Sequence, residues 1–179
     1  PNPVESENHR LLIGAYFTLE YSLEAASLFN PCMVWHPDQS NLGKGERRFI
    51  LSLRATGEGH VSSIVFRSGT IDGGNTIRLD QVTQYVTTPQ ITLEKSSYQA
   101  DFSPLYPLSE RVLFPFAPEE CNGMEDARFV EFSDDNGKKT YYATYTAYDG
   151  RRIYSMLLQT DDFLVFQINR IEGAAVQNK

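Results

Sequence analysis

Short runs of alternating hydrophobicity, separated by glycine-containing or polar turns, constrain the fold of this chain most strongly. Three runs follow one another from Arg48 onward, and four more follow residue 127: RFILSL, VSSIVFRSG and TIRLDQV, then RFVEF, KTYYATYTAYD, RRIYSMLLQT and FLVFQINRI. Successive side chains of a strand point to opposite faces, so a period of two predicts β-strands, and the short turns between them predict antiparallel pairing. The sequence therefore predicts an all-β fold.

The tyrosine-rich run shows the alternation most clearly. Apolar or aromatic side chains fall on one face of this strand, at Tyr141, Ala143, Tyr145 and Ala147. Its other face carries hydroxyl groups from Thr140 to Tyr148. Such a strand either lines a polar cavity with its hydroxyl face or lies in a two-sided interior.

An internal repeat relates the two halves of the chain. FILSLRATGEGHVSSIVFRSG aligns with YYATYTAYDGRRIYSMLLQTD at an offset of 92 residues, as strand, glycine-containing turn and strand. Repeated antiparallel units of three or four strands are typical of β-propeller blades, of which a propeller usually has four to eight. About two blades are recognisable in this chain. An open pair of blades leaves unpaired edges, which further chain or self-assembly would cover.

Two segments fall outside the strand pattern. Residues 1–29 are predicted to form an N-terminal helical segment, in which Thr18 or Ser22 caps a short helix that Asn30-Pro31 ends. Its apolar positions at near-helical spacing are Leu19, Leu23 and Ala26. Residues 84–120 are predicted to be an irregular insertion, because four of the nine prolines lie between Asp101 and Glu120. We expect that stretch to be a surface connection.

Composition excludes several classes of protein. The 179 residues are 41% apolar and carry a net charge of −7, and they contain no apolar stretch long enough to cross a bilayer. The acidic excess disfavours nucleic acid as a partner. Cys32 and Cys121 are predicted to be buried thiols, and their spacing matches no zinc motif. We expect a cytoplasmic location, with export left open because the chain begins at Pro1.

The densest polar cluster is Asn122-Gly-Met-Glu-Asp-Ala-Arg128, which directly precedes a strand. Neighbouring carboxylates beside an arginine can be driven to different protonation states, which is one way to obtain a general acid near neutral pH. The same residues also suit an exposed turn with a surface ion pair. Arg54 is a second candidate, because an inward-pointing arginine in an apolar strand needs an anion or a carboxylate.

Taken together, these motifs resemble glycoside hydrolase family 130, which contains β-mannoside phosphorylases and β-mannosidases. The resemblance extends from about residue 30 to the last residue. It is carried by the order of six segments: Asn30-Pro31, Arg54-Ala55, the Gly-Met-Glu-Asp-Ala-Arg-Phe-Val segment, Tyr145–Tyr148, Thr160–Phe163 and Asn178-Lys179.

The resemblance implies a five-bladed β-propeller that cleaves β-mannosidic bonds with inversion. In that family a single carboxylic acid protonates the leaving oxygen, and Asp126 matches it. The resemblance further assigns substrate binding to Asn30, Arg54, Glu125, Arg128 and Thr146, with Arg128 orienting Asp126. It assigns phosphate contacts to Arg152 and Lys179. No metal and no cofactor are expected, and inorganic phosphate is a candidate co-substrate.

Two departures from the family pattern shape these expectations. Ala127 stands where the family usually has proline, and the chain ends at Lys179 where family members continue through three further blades. We therefore expect residues 30–179 to be the first blades of a truncated propeller. The choice between phosphorolysis and hydrolysis stays open. The alternative is a non-catalytic sugar-binding or protein-interaction β-domain, which could also form a homo-oligomer.

Overall fold

The computed structural model describes residues 6–18 and 20–176, and their architecture is all-β with one short helix, as predicted. The helix, α1, spans Glu7–Thr18. The strands are Ser27–Trp35 (β1), Arg47–Thr56 (β2), Ser62–Ile71 (β3), Ile77–Leu79 (β4), Gln90–Leu93 (β5), Ser97–Asp101 (β6), Val112–Leu113 (β7), Gly123–Ser133 (β8), Lys139–Tyr148 (β9), Ile153–Thr160 (β10) and Val165–Arg170 (β11).

The strands form two antiparallel units joined at one point. The order is β1-β2-β3-β8-β9-β10-β11-β6-β5, and both β4 and β7 also pair with β3. We call β1–β4 the first unit and β8–β11 the second unit. Only the pairing of Ser62 with Gly123 joins β3 to β8, and that pairing is parallel. The strand order is open, with β1 and β5 at its ends.

The repeat predicted from the sequence is present in the backbone. The hairpin of β2 and β3 corresponds to the hairpin of β9 and β10 at the offset of 92 residues. The first strand of each unit also carries a β-bulge, between Phe29 and Cys32 in β1 and between Glu125 and Arg128 in β8. The bulge in β1 lies opposite Leu53 and the bulge in β8 opposite Tyr145, which are themselves 92 residues apart.

The core lies between the two units. The face of β9 predicted to be apolar is fully buried, and side chains of β2 and β3 pack in the same cluster, including Ile50, Ile64 and Phe66. Phe66 contacts Phe163 edge-on and stacks on Phe166, with ring centroids 5.7 and 5.6 Å apart. Each fully buried phenylalanine contributes about 1.5–3 kcal/mol through loss of apolar surface from water. The opposite face of β9 is partly open to solvent, so β9 is not a two-sided interior strand.

The predicted helix before Asn30-Pro31 is wrong in its placement. The helix lies earlier, and β1 already begins at Ser27, so that Asn30-Pro31 lies within a strand. Pairing with β2 overrides the local stop signal, because the bulge accommodates Asn30 at a φ of 52°, a region that asparagine tolerates. Leu19, one of the predicted helix positions, lies outside the described residues.

The predicted irregular insertion also contains regular structure. β5 and β6 extend the second unit beyond β11, and β7 pairs with β3. The stretch from Asp101 to Glu120 is not a simple surface connection, because Leu113 and Glu120 within it are buried. Proline is absent from β5, β6 and β7, which is why these segments can pair.

Both cysteines are free, but the prediction that both are buried is wrong. Cys121 is exposed, whereas Cys32 is half-buried and bonds through Sγ to the backbone of Phe129. Cys121 lies next to the chain reversal that leads into β8, where its neighbours Asn122 and Asp149 are at the surface or half-buried. Within residues 6–18 and 20–176, no helix is both long and apolar enough to cross a membrane.

Candidate functional site

The two bulges bring Asn30 and Asp126 together. Both residues have a positive φ, 52° for Asn30 and 56° for Asp126, so each side chain leaves its strand in a direction that a regular ladder would not allow. Asn30 donates from Nδ2 to Oδ1 of Asp126 at 2.6 Å. Residues in this sparsely populated backbone region cluster at functional sites, and here one lies at the bulge of each unit.

Arg54 of β2 connects this pair to a second carboxylate. Its Nη2 donates to Oε1 of Glu125 at 2.7 Å, and its Nη1 lies 3.6 Å from Oδ1 of Asp126. The sequence predicted that Arg54 needs an anion or a carboxylate, and in the structure its partners are carboxylates. The side chain of Asp126 is 40% exposed and that of Arg54 19% exposed, so the acid faces solvent while the arginine supports it from below.

Ser62 holds Arg54 from the other side, and sequence reasoning did not find it. Its hydroxyl accepts a hydrogen bond from Nε of Arg54 at 2.9 Å and lies 3.2 Å from Oγ1 of Thr56. Ser62 is fully buried and pairs with Gly123, where a Cβ would come within 3.2 Å of it. The one pairing between the units therefore also fixes the arginine. The serine at the start of β3 gave no sign of this role in the sequence.

Two further predicted residues lie at the edge of the cluster. Thr146 of β9 is the ladder partner of Glu125. Arg128, predicted to orient Asp126, instead donates from Nη1 to the carbonyl of Pro31 at 3.1 Å. The bulge separates the two residues in the ladder, so Arg128 re-enters it opposite Thr144, and Arg54 is the arginine that reaches Asp126.

The two predicted phosphate contacts are not part of this cluster. Arg152 is exposed in the turn between β9 and β10, where its backbone N–H donates to Oδ1 of Asp149 at 2.6 Å. In the described part of the chain, no hydrogen bond or ion pair joins the Arg152 side chain to Asp126 or Arg54. Lys179 lies outside the described residues.

Comparison with known proteins adds nothing about the chemistry of this cluster, which is argued from its geometry. No family model matches the chain, and no curated protein or solved structure matches it significantly.

A buried polar network lies behind the bulge of β8. Glu120 is fully buried and accepts hydrogen bonds from the hydroxyl of Tyr98, at 2.9 and 3.0 Å, and from the hydroxyl of Tyr145. The backbone N–H groups of Phe116 and Ala117 each donate to its Oε2 at 3.0 Å. Four donors on one carboxylate satisfy a charge that would otherwise be costly to bury.

This network fixes the strand opposite Asp126. Tyr145 is the residue of β9 that faces the bulge, so its anchored ring holds the backbone against which the bulge forms. Burial and, after it, the neighbouring Glu120 raise the pKa of Tyr98 well above its usual value near 10. Burial, followed by Tyr98 and Glu120, likewise raises the pKa of Tyr145. Nothing in the sequence distinguished Glu120 from its exposed or half-buried acidic neighbours.

The cluster is suited to proton transfer beside a polyol. Oδ1 of Asp126 accepts from Asn30, while Oδ2 forms no hydrogen bond to any of the described residues, and the side chain is partly open to solvent. Asn30, Arg54 and Glu125 supply donors and acceptors next to it, which are the groups that bind sugar hydroxyls. No group of three or more metal-ligating side chains is placed to hold a metal ion in the described ranges.

Proposed function

We propose that the two units are β-propeller blades and that they carry the general-acid side of a site that cleaves β-mannosidic bonds with inversion. The order of motifs along the chain supports this proposal. So does the architecture, in which two repeated antiparallel units face each other through their bulged first strands. In a propeller, the first strand of each blade lines the central axis where a ligand binds.

One observation carries the proposal. Asn30, Arg54 and the Glu125-Asp126 pair lie far apart in the sequence yet form one polar cluster, with the acid exposed and the arginine half-buried. These residues come from three strands and two units. A surface turn with an incidental ion pair would not require two bulges and two residues at positive φ.

In the proposed reaction, Asp126 is the general acid. Its Oδ2 carries the proton and delivers it to the departing glycosidic oxygen, directly or through a hydroxyl of the substrate, as the bond from that oxygen to the anomeric carbon breaks. A phosphate oxygen or a water oxygen attacks the anomeric carbon from the opposite face of the sugar ring, which inverts its configuration. Asp126 is left as a carboxylate, which Asn30 and Arg54 stabilise.

The remaining residues of the cluster would bind the mannosyl unit. Arg54 and Asn30 offer N–H donors, and Glu125 accepts through its carboxylate, which is 29% exposed. Thr146 lies beside Glu125 in the ladder and adds a hydroxyl. Arg152 and Lys179 are proposed as contacts to an inorganic phosphate co-substrate. No metal or cofactor takes part in this proposal.

A panel of β-mannosides assayed with and without inorganic phosphate tests the proposal. Release of mannose 1-phosphate that requires added phosphate identifies phosphorolysis, and release of free mannose independent of phosphate identifies hydrolysis. A matched panel of β-glucosides and α-mannosides tests the specificity. Turnover of none of the mannosides, in a chain that binds none of them, would overturn the proposal.

The second candidate is a non-catalytic sugar-binding β-domain. The position of Arg152 favours it, because this predicted phosphate contact is exposed in the turn between β9 and β10 and its backbone N–H bonds to Asp149. The same panel distinguishes the two candidates when binding is measured alongside turnover. Binding of a mannoside without either product indicates the non-catalytic domain.

A further inference from the structure

The second unit presents a broad open face to solvent. We call the side chains of β8–β11 that point away from the core its outer face. Apolar members of this face are strongly exposed, at 60% for Val130, 55% for Phe132 and 65% for Ile153. The positions between them in β9 and β10, such as Tyr142, Thr144 and Leu157, are uncharged. In β8 the face also carries Arg128, which is exposed and is the ladder partner of Thr144. A sheet face with exposed apolar side chains and few charges is typical of an interaction surface.

The repeat shows what kind of surface fits this face. Within the chain, the first unit packs its Ile50 and Ser52 side against the Tyr141 and Ala143 side of the second unit. At the offset of 92 residues, Ile50 and Ser52 correspond to Tyr142 and Thr144. The outer face of the second unit is therefore the repeat equivalent of the surface that the first unit already uses for docking.

The complementary surface is present on the same chain. The repeat equivalents of Tyr141, Ala143 and Tyr145 are Phe49, Leu51 and Leu53, which point away from the second unit. We call this side of the first unit, together with its β1 neighbours, the far face. Leu28 and Met33 of β1 belong to it by register and are 40% and 51% exposed. Leu51 and Leu53 are half-buried.

Part of the far face is already covered. Over β3, Leu23 packs onto a small cluster that contains Ala55, Val65 and Val112. Over the first half of β2, Phe49 is buried and Leu51 is half-buried, so the open part of the far face is Leu28 and Met33 of β1. A docking partner would therefore meet mainly β1, the strand that carries the bulge, which is also the part of the first unit nearest to the Asp126 cluster.

We propose that a second copy of this chain docks its far face on the outer face of the first, in a head-to-tail arrangement. One interface of this type lies between the two units of the chain. The equivalents of its two halves are the outer face of the second unit and the far face of the first unit. Because the two halves differ, the contact is heterologous, and it closes into a ring when the rotation between copies permits. Because β9 and β10 place no charged side chain on the outer face, and Arg128 of β8 adds a cation to it, this face allows such contact despite the overall charge of −7.

The same arrangement would place a new residue beside the candidate acid. The step from the first unit to the second brings Asp126 against Asn30. Repeating that step brings Asn30 of the second copy to the other side of Asp126, where Oδ2 is free of described partners. A catalytic role for the second copy's Asn30 rests on the proposed function, whereas the docking itself does not.

Sedimentation velocity over a wide concentration series tests the docking. We expect the 179-residue chain to form a species larger than a monomer. Phe132→Glu on the outer face and Met33→Glu on the far face should each convert it to smaller species. Leu105→Glu is the matched control, because Leu105 is 87% exposed in the loop after β6 and belongs to neither face. Ile153→Glu provides a second outer-face variant should Phe132→Glu fail to fold.

Mixing the two variants distinguishes head-to-tail docking from other contacts. Phe132→Glu keeps an intact far face and Met33→Glu keeps an intact outer face, so an equimolar mixture should form a one-to-one dimer that neither variant forms alone. A monomeric wild-type chain at every concentration would overturn the proposal. Loss of assembly in Phe132→Glu but not in Met33→Glu would also overturn it, because the outer faces would then pair with each other.

Discussion

Asn30 and Asp126 occupy equivalent bulge positions of two structural repeats, and the amide of the first donates to the carboxylate of the second at 2.6 Å across 96 residues of sequence. Each has the left-handed backbone conformation, at φ of 52° and 56°. The candidate site therefore lies at the junction of the repeats. Whatever holds the two units together also sets the position of the acid relative to its hydrogen-bond donors.

Asp126→Asn should remove most of the turnover while preserving the fold and sugar binding. Asparagine matches aspartate in shape and tolerates a positive φ, so the bulge should persist, but its amide has no acidic proton to deliver. Loss of general-acid catalysis should lower kcat by about 10²–10⁴-fold on mannosides with poor leaving groups. Steady-state kinetics measure the loss, and calorimetric titration with a mannoside measures the retained binding.

The control for that variant is Asp135→Asn. Asp135 is exposed in the turn between β8 and β9, away from the two bulges, and the substitution removes the same charge from the chain. It should leave kcat unchanged. Near wild-type turnover by Asp126→Asn on every mannoside of the panel would exclude Asp126 as the acid.

Substitutions of Asn30 should separate the effect of its side chain on KM from the effect of its backbone conformation on the unfolding free energy. Asn30→Gly keeps easy access to positive φ but loses the hydrogen bond to Asp126, so it should raise KM with little change in unfolding free energy. Asn30→Ala loses the same bond and adds backbone strain, so it should be less stable than the glycine variant by about 1–2 kcal/mol. Urea unfolding of both variants measures the difference. Equal stability would show that the bulge does not require the left-handed conformation.

Much of the fold follows from local pattern. The period of two in β2, β9 and β10 depends only on neighbouring residues, and it correctly predicted both the strands and the buried face of β9. The repeat was visible for the same reason, because each hairpin is a continuous segment. Arg54 was identified as needing an anion or a carboxylate, since a charge within an apolar strand is anomalous wherever its partner lies.

The site itself depends on pairing between distant strands, which local pattern does not encode. Asn30-Pro31 has the local signature of a helix stop, yet pairing with β2 makes it a bulge. Arg128 is two residues from Asp126 in sequence, but the bulge directs it to Pro31. Ser62 and Glu120 acquire their roles only when β3 meets β8 and when β6 meets β11. Their burial was therefore invisible in the sequence.

Ser62→Ala and Ser63→Ala form a matched pair that tests how Arg54 is held. Both serines are fully buried, but Ser62 accepts from Nε of Arg54 at 2.9 Å while the hydroxyl of Ser63 has no partner among the described residues. Ser62→Ala should lower the unfolding free energy by about 1.5–3 kcal/mol, because a charged donor loses its acceptor, and it should raise KM for mannosides. Ser63→Ala should be neutral or stabilising.

Chemical denaturation of the two variants under the same conditions compares their stability directly. A larger loss in Ser63→Ala than in Ser62→Ala would contradict the hydrogen-bond assignment. If Ser62→Ala lowers the unfolding free energy as expected but leaves KM unchanged, Ser62 supports only the junction with Gly123 and does not position Arg54.

The buried tyrosines around Glu120 should make the fold sensitive to alkaline pH. Burial raises the pKa of Tyr98 and of Tyr145 in the folded chain above the value near 10 that they have when unfolded. Below pH 10 both hydroxyls are protonated in both states, so their contribution to stability is fully present. Above pH 10 the unfolded chain releases protons that the folded chain retains, and the unfolding free energy should fall by about 1.4 kcal/mol per pH unit for each tyrosine. Urea unfolding between about pH 8 and pH 11, a range that brackets the unfolded pKa, measures this slope.

Tyr145→Phe should reduce the slope by the contribution of one tyrosine. It should also lower the unfolding free energy at pH 8, because Glu120 loses a hydrogen-bond donor. Tyr85→Phe, at a ring that is 74% exposed, is the control and should leave the slope unchanged. An identical slope in Tyr145→Phe and the wild-type chain would show that Tyr145 does not keep its proton when folded.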